Sequence, residues 1–416
     1  MGRAKQLLLE QQEQGWSFVD DTFACSECVA EPFLRKWIQE NPSRYACSYC
    51  SRSSSENCIA TPVKDLFALI DEGLRAEYHE ALDWYSYDSE DGAYVGRWFD
   101  SYDLLYELEL GLFSNEELAD AFVNAFGNRM FCPAYPHSLS ESESFRYGWE
   151  RFVHHVKHQA RYYFLPEPAR KPNDSSLADE GLSVAETPSY LGRAVRALGR
   201  ISEIGTQVDL FRARLSRSGE TFETARELGT VPERLATAAN RMSPSGIAMF
   251  YAAGDEGTAV AEVHDGSKEP SQTALASVGV FRPSRPLRVI DLSEGGTLPS
   301  LFDEGKRHLR EKMRMLNDFA AAIAEPVEKD ALEHIEYAPT QIVTEYFRHA
   351  FAAKDEEPID GIMYLSSRNP HHACYVLFVD NQHCVDGCGV ARDEELRLVL
   401  HRSAPRELRG RPLARY

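Results

Sequence analysis

The chain has 416 residues, 43% of them hydrophobic and 26% charged, and its 65 acidic against 45 basic side chains give a formal net charge of −20. That length holds two to three domains with a sizeable core, and the acidic balance argues against broad, non-specific binding of nucleic acid. No apolar run approaches the roughly 18 residues of a membrane-spanning helix, and Glu and Gln interrupt the N-terminal apolar run before a signal-peptide core forms, so the chain reads as cytoplasmic.

The first legible element is a cysteine cluster. Five of the nine cysteines fall between residues 25 and 58: "CSEC" (Cys25, Cys28), then "CSYC" (Cys47, Cys50) 18 residues on, then Cys58. Each C-x2-C pair can grip a metal ion from a tight turn, and four thiolates form the closed tetrahedral shell of a structural Zn²⁺ site. Residues 1–60 are therefore expected to be a segment built around zinc held by Cys25, Cys28, Cys47 and Cys50. Cys132, Cys374, Cys384 and Cys388 lack that spacing and read as buried or merely exposed thiols.

Residues 61–164 are expected to be all helical. "TPVKDLFALIDEGLRAEYHEALDWY" offers Thr61 as a cap, Pro62 at the first position and apolar residues three and four apart. "SNEELADAFVNAF" offers Ser114 as a cap with Glu117 three residues on. "SESESFRYGWERFVHHVKHQARYYF" is a third helix, with His154 and His158 on one face. Its Arg151 and His158 are loosely similar to the R-x4-6-H motif of HEPN ribonucleases, although Phe152 stands where that motif has a polar residue. Residues 165–186, rich in Pro, Asp and Ser, read as a linker.

Residues 187–416 change texture. Short β-rich runs ("VDLFRARL", "AMFYAA", "TALASVGVF", "LRVIDL", "IDGIMYL", "CYVLFVD") alternate with helical segments near 303–324 and 330–352, so the whole chain reads as α+β. No internal repeat, GxGxxG or Walker loop occurs. The arginine-rich stretch 396–416 reads as a solvated tail. Arg212, Arg241, Tyr251, Glu262 and Ser366 stand out at the ends of these runs. Arginine forks suit a pyrophosphate, a tyrosine ring suits stacking, and a carboxylate stabilises oxocarbenium-like charge on a ribose.

Four pieces in order, "LFRARL", "NRMSPSGIAMFYAAGDEGTAVAEV", "YAPTQIVTEYFR" and "DGIMYLSSR", resemble the RES domain, and the helical part ahead of them is similar to the HEPN-like module found fused to such domains. The resemblance implies a fold similar to ADP-ribosyltransferase toxins and consumption of NAD⁺ by phosphorolysis or hydrolysis at the nicotinamide ribose. It puts the catalytic residues at Arg212, Glu262 and Ser366, with Arg241 and Tyr251 as further NAD⁺-binding residues. It also implies a bacterial toxin or defence effector, with inorganic phosphate as a co-substrate and an antitoxin or regulatory protein as a partner. ADP-ribosylation of a protein target, ribonuclease action and a catalytically inactive interaction protein remain the alternatives.

Overall fold

The computed structural model describes residues 16–17, 19, 21–90, 93–107, 111–127, 129–134, 138–162, 182–216, 220–264, 274–293, 296–324, 332–387 and 396–408. Most of the expected linker, Cys388 and residues 409–416 lie outside them. No helix among the described residues is long and apolar enough to cross a membrane.

Two compact units make up the chain: residues 1–140 with 298–310, and residues 141–297 with 311–416. This differs from the linear division read from composition, which ran 61–164 as one body and 187–416 as another. Packing is the reason. The helix Glu141–His158 buries Phe145, Phe152 and Val156 in one core with Leu191, Leu316, Phe319 and Phe347. Leu301 and Phe302, far along the chain, belong to the core of the first unit.

The first unit runs β1 (Phe23–Cys25), α1 (Pro32–Glu40), β2 (Ala60–Pro62), α2 (Val63–Glu77), β3 (Tyr78–Glu80), α3 (Ala81–Trp84), β4 (Tyr87–Asp88), β5 (Ala93–Tyr94), α4 (Ser101–Glu107), α5 (Glu116–Phe126) and β6 (Phe131–Pro133). The pairs β1–β2, β3–β6 and β4–β5 are antiparallel, so the region expected to be all helical also carries short strands. Thr61 lies in β2 and donates to the Asn41 carbonyl at 2.6 Å instead of capping α2. The cap of α5 is Asn115, one residue past the expected Ser114, and it accepts from the Leu118 N–H at 3.0 Å. In α2, Leu66, Phe67, Ile70 and Leu74 recur at helical spacing and are fully buried. Phe67 meets Phe122 edge-on with ring centres 5.4 Å apart. Gly73 leaves room for Phe302, whose ring carbon would lie 2.5 Å from an added Cβ. Arg310 reaches the Glu77 carboxylate at 2.5 Å.

The second unit runs α6 (Glu141–His158), α7 (Thr187–Ala197), β7 (Ile201–Ile204), β8 (Leu210–Ser216), α8 (Ala225–Leu228), β9 (Phe250–Ala253), α9 (Glu256–Val263), β10 (Ala274–Pro283) and β11 (Leu287–Asp291). It continues with α10 (Arg310–Ala324, from its second residue), α11 (Glu333–Glu336), α12 (Ala338–His349), β12 (Gly361–Leu365), β13 (Ala373–Leu377), β14 (Cys384–Asp386) and β15 (Leu398–Leu408). One nine-stranded sheet holds these strands in the order β14-β15-β10-β8-β9-β13-β12-β11-β7. Only β11–β12 and β14–β15 pair in parallel. All six expected strand runs are present. The expected solvated tail instead starts with an 11-residue strand, β15, paired along β10. Helices α6, α7, α10 and α12 cover one face through Ile290, Ile362 and Val376. Leu210, Phe250, Phe281 and Leu377 build a second core.

Gly361 opens β12 where the backbone of β13 comes closest: an added Cβ would lie 2.3 Å from the Val376 carbonyl oxygen. Overpacking of this kind costs about 1–3 kcal/mol. G361A is expected to lower the denaturation midpoint accordingly, and an unchanged midpoint would show that β12 shifts freely.

Candidate functional site

The register of the sheet sets out the site. Phe211 in β8 pairs with Ala253 in β9, Ala253 with Cys374 in β13, and Cys374 with Tyr364 in β12. This row of four lines a cavity of about 490 Å³. Above it stand α9, the loop around Asn240–Met249 and, from α11 onward, Glu333 and Tyr337. The volume suits a small-molecule ligand, for which about 300–1,000 Å³ is usual.

Glu262 reaches the cavity from the last turn of α9. That helix starts cleanly because Asp255 caps it, accepting from the Thr258 N–H at 2.9 Å. The Ser366 hydroxyl donates to Glu262 Oε1 at 2.5 Å. The same oxygen of Ser366 accepts from the N–H groups of Arg368 and Asn369, at 3.1 and 2.9 Å. With two donors already on it, its one proton goes to the carboxylate. The Cys374 thiol lies 3.8 Å from the same Oε1. Burial, with the Glu262 charge beside it, pushes that thiol up to about 12, so it stays protonated. Oε1 is thus occupied by protein groups, and Oε2 is the oxygen left for a ligand.

Arg212 follows Phe211 in β8 and also lines the cavity. Its guanidinium donates to the Tyr251 carbonyl at 2.6 Å and sits 5.1 Å from the Phe250 ring centre. Burial holds it down to about 10, which still leaves it cationic at neutral pH. Among the described residues no carboxylate pairs with it, so a half-buried cation faces the cavity without a counter-charge, the setting that favours an anionic ligand. Tyr251 is fixed at its hydroxyl, which accepts from the Met242 N–H at 3.3 Å and lies 3.0 Å from Ser243 Oγ. Burial raises it to about 12. Arg241 donates to the Ile323 carbonyl at the end of α10 and lies 5.9 Å from the Tyr337 ring centre.

The structure therefore brings Arg212, Arg241, Tyr251 and Glu262 to one cavity. Ser366 does not line it. It is buried behind Glu262, and Ser367 and Arg368 line the cavity in its place. Tyr337, Tyr364 and Cys374 were missed as site residues. The two-residue spacing of Tyr364 and Ser366 along a strand end was the available signal. Cys374, read only as a buried or exposed thiol, is buried and on the cavity wall.

Residues 209–401 match the model of the RES domain, and residues 40–169 match that of HEPN/RES N-terminal domain 1. This is a RES-domain protein. No curated protein and no solved structure matches the chain. Every residue of the cavity wall lies inside the RES match. The match to HEPN/RES N-terminal domain 1 includes Cys47 and Cys50 and extends through α6.

On α6 of this RES-domain protein, Arg151 donates to the Leu182 carbonyl at 2.5 Å, and Phe152 is fully buried. The His154 and His158 ring centres are 5.4 Å apart. Among the described residues no hydrogen bond or ring contact links Arg151 to His158. The cysteine cluster does assemble. The sulfurs of Cys25, Cys28, Cys47 and Cys50 all lie within 4.8 Å of one another, while Cys58 is not part of the group. Cys25–Cys28 is 3.8 Å, and Cys25–Cys50 and Cys28–Cys47 are 3.6 Å. Four sulfurs about 2.3 Å from a central ion stand about 3.8 Å apart along the edges of a tetrahedron. The spacing fits a metal held by four thiolates. Burial would raise Cys47, but the N–H groups of Tyr49, Cys25 and Cys50 favour its thiolate and bring it to about 7.

Proposed function

We propose that the cavity binds NAD⁺ and cleaves the bond between nicotinamide and ribose, by phosphorolysis or hydrolysis. The observation that carries this reading is a carboxylate on the cavity wall with one oxygen held by Ser366, in a cavity that the Arg212 cation also lines. The RES family is associated with NAD processing, which supports the same substrate.

Arg212 and Arg241 bind the pyrophosphate, Tyr251 packs against the nicotinamide end, and Glu262 Oε2 accepts from a ribose hydroxyl. As the C–N bond breaks, its electron pair leaves with nicotinamide, which departs neutral and needs no general acid. Positive charge grows on the ribose, and Glu262 stabilises it. Phosphate or water then attacks the anomeric carbon. Ser366 acts through Glu262 and not on the ligand. The second unit is read as similar in fold to ADP-ribosyltransferase toxins, supported by a mostly antiparallel sheet with the cavity on its central strands. The biological role is that of a toxin or defence effector held in check by an antitoxin or regulatory protein. Zn²⁺ is the ion assigned to the four cysteines, with a structural role, because a closed four-thiolate shell leaves no open position for substrate.

The test is to incubate the protein with NAD⁺, with and without inorganic phosphate, and follow nicotinamide and the ADP-ribose product. Release of nicotinamide supports the reading, and the product separates phosphorolysis from hydrolysis. Label appearing on protein would favour transfer to a target instead. S366A is expected to lower kcat about 10- to 100-fold with KM little changed, because the carboxylate loses its orientation and not its charge. A rise in KM at constant kcat would instead place Ser366 on the ligand.

A further inference from the structure

The turn between β12 and β13, residues 366–372, carries Ser366 but has its own attachment to α9. Asn369 Nδ2 donates to Thr258 Oγ1 at 2.7 Å, and Thr258 Oγ1 donates to Asp255 Oδ2 at 2.6 Å. His372 Nδ1 meets the same Asp255 oxygen at 2.8 Å. The turn closes on itself through Ser366 N–H to the His372 carbonyl (2.9 Å) and His372 N–H to the Asn369 carbonyl (3.2 Å). His371 takes up a left-handed backbone conformation, φ 71°, to complete it. None of Asp255, Thr258, Asn369 or His372 lines the cavity.

Thr258 and Glu262 are four residues apart and so lie on one face of α9. Asn369 and Ser366 are three apart on the turn. The turn is therefore bonded to the helix at two points one helical turn apart, Asn369 to Thr258 and Ser366 to Glu262. Asn369 serves both, because its N–H also donates to Ser366 Oγ. Proton directions are settled throughout: Asp255 only accepts, Thr258 donates its one hydroxyl proton to Asp255, and Asn369 fills the Thr258 acceptor site. Thr258 is fully buried, so this attachment is shielded from water.

We infer that Asn369 and Thr258 form a positioning pair that sets the rate of the reaction by fixing Ser366, and through it Glu262, without touching the ligand. The inference rests on the NAD⁺-cleaving reading of the cavity. Losing either partner lets the turn slide along α9, so Glu262 samples orientations in which Oε2 no longer meets the ribose.

The experiment is a double-mutant cycle of N369A and T258V, with T258S as the conservative variant, read by nicotinamide release and by hydrogen exchange of peptides covering 366–372. N369A and T258V should each lower kcat about 10- to 100-fold with KM within about twofold, and the double variant should be no worse than the worse single one. T258S should restore the rate. Exchange across 366–372 should rise about tenfold in N369A while β10 and β15 stay protected. Additive losses, a KM-dominated effect or failure of T258S to restore the rate would overturn the positioning role. A native protein inert toward NAD⁺ would overturn the reading of the cavity. Exchange would still decide the attachment, since unchanged protection of 366–372 in N369A would overturn it by itself.

Discussion

E262Q is expected to release nicotinamide from NAD⁺ about 10³-fold more slowly than the native protein, while binding NAD⁺ at least as well. The size follows from removing a preoriented charge aimed at the atom where positive charge develops, an effect of about 10²–10³ in rate elsewhere. The substitution separates charge from structure. A glutamine carbonyl oxygen can still accept the Ser366 proton, so the bond that orients the side chain survives, and α9 keeps its Asp255 cap. Binding should be retained because, on the proposed reading, Arg212 and Arg241 hold the pyrophosphate and Glu262 acts mainly in the transition state. Calorimetry with NAD⁺ and a thermal melt would accompany the rate measurement. A variant that keeps a tenth or more of the native rate would remove Glu262 from the chemistry. One that fails to bind NAD⁺ would move it from the transition state to the ground state.

The second large effect concerns the cysteines. C28S, or treatment of the native protein with a strong chelator, is expected to lose one metal ion per chain and to open residues 41–59 to proteolysis. Between α1 and β2 that stretch carries no helix or strand; apart from its cysteines it is held by the isolated bridges Arg44–Ala60 and Ala46–Ser53, by Ser48 bonded to Phe23, by Tyr49 bonded to Thr22 and Asn115, and by turn hydrogen bonds. Cys25 and Cys28 are themselves buried members of the first unit's core. Binding free energy for a four-ligand structural zinc is about 10–16 kcal/mol in isolated peptides, above what a handful of hydrogen bonds at about 1 kcal/mol each supplies. Elemental analysis gives the metal content, and limited proteolysis gives the opening. Protein that carries no metal as purified, together with C28S of unchanged protease resistance, would refute the assignment.

Local chemistry made much of this legible in advance. The six strand runs were readable because β-branched and aromatic residues cluster between turn residues, and the knuckle cysteines because their spacing is a chelate geometry. The gathering of Arg212, Arg241, Tyr251 and Glu262 followed from the order of the four RES-like pieces. What was misread depended on distant neighbours. Thr61 is a sound helix cap by composition, but β1 recruits it into a strand. The arginines of 398–408 suggested a solvated tail because β15 is an element whose pairing partner, β10, lies more than a hundred residues earlier. α6 packs on Leu316 and Phe319, partners that nothing in its own sequence names, while the HEPN/RES match keeps it with the helices before it. Ser366 was expected on the ligand, whereas its bonds to two N–H groups and Glu262 commit all its hydrogen-bonding capacity to the protein.

The excursion of residues 298–310 into the first unit bears on the order of events during synthesis. Leu301 and Phe302 complete a core whose other members are all made by residue 131, and Arg310 supplies a partner of Glu77. The first unit therefore lacks part of its core as it leaves the ribosome. It waits, with Gly73 and its surroundings uncovered, until nearly three quarters of the chain has been translated. Several strands of the second unit are by then already made, and β12 and β13, which complete the cavity row, follow only afterwards. The order of translation therefore places formation of the cavity after the last piece of the first unit's core has been made.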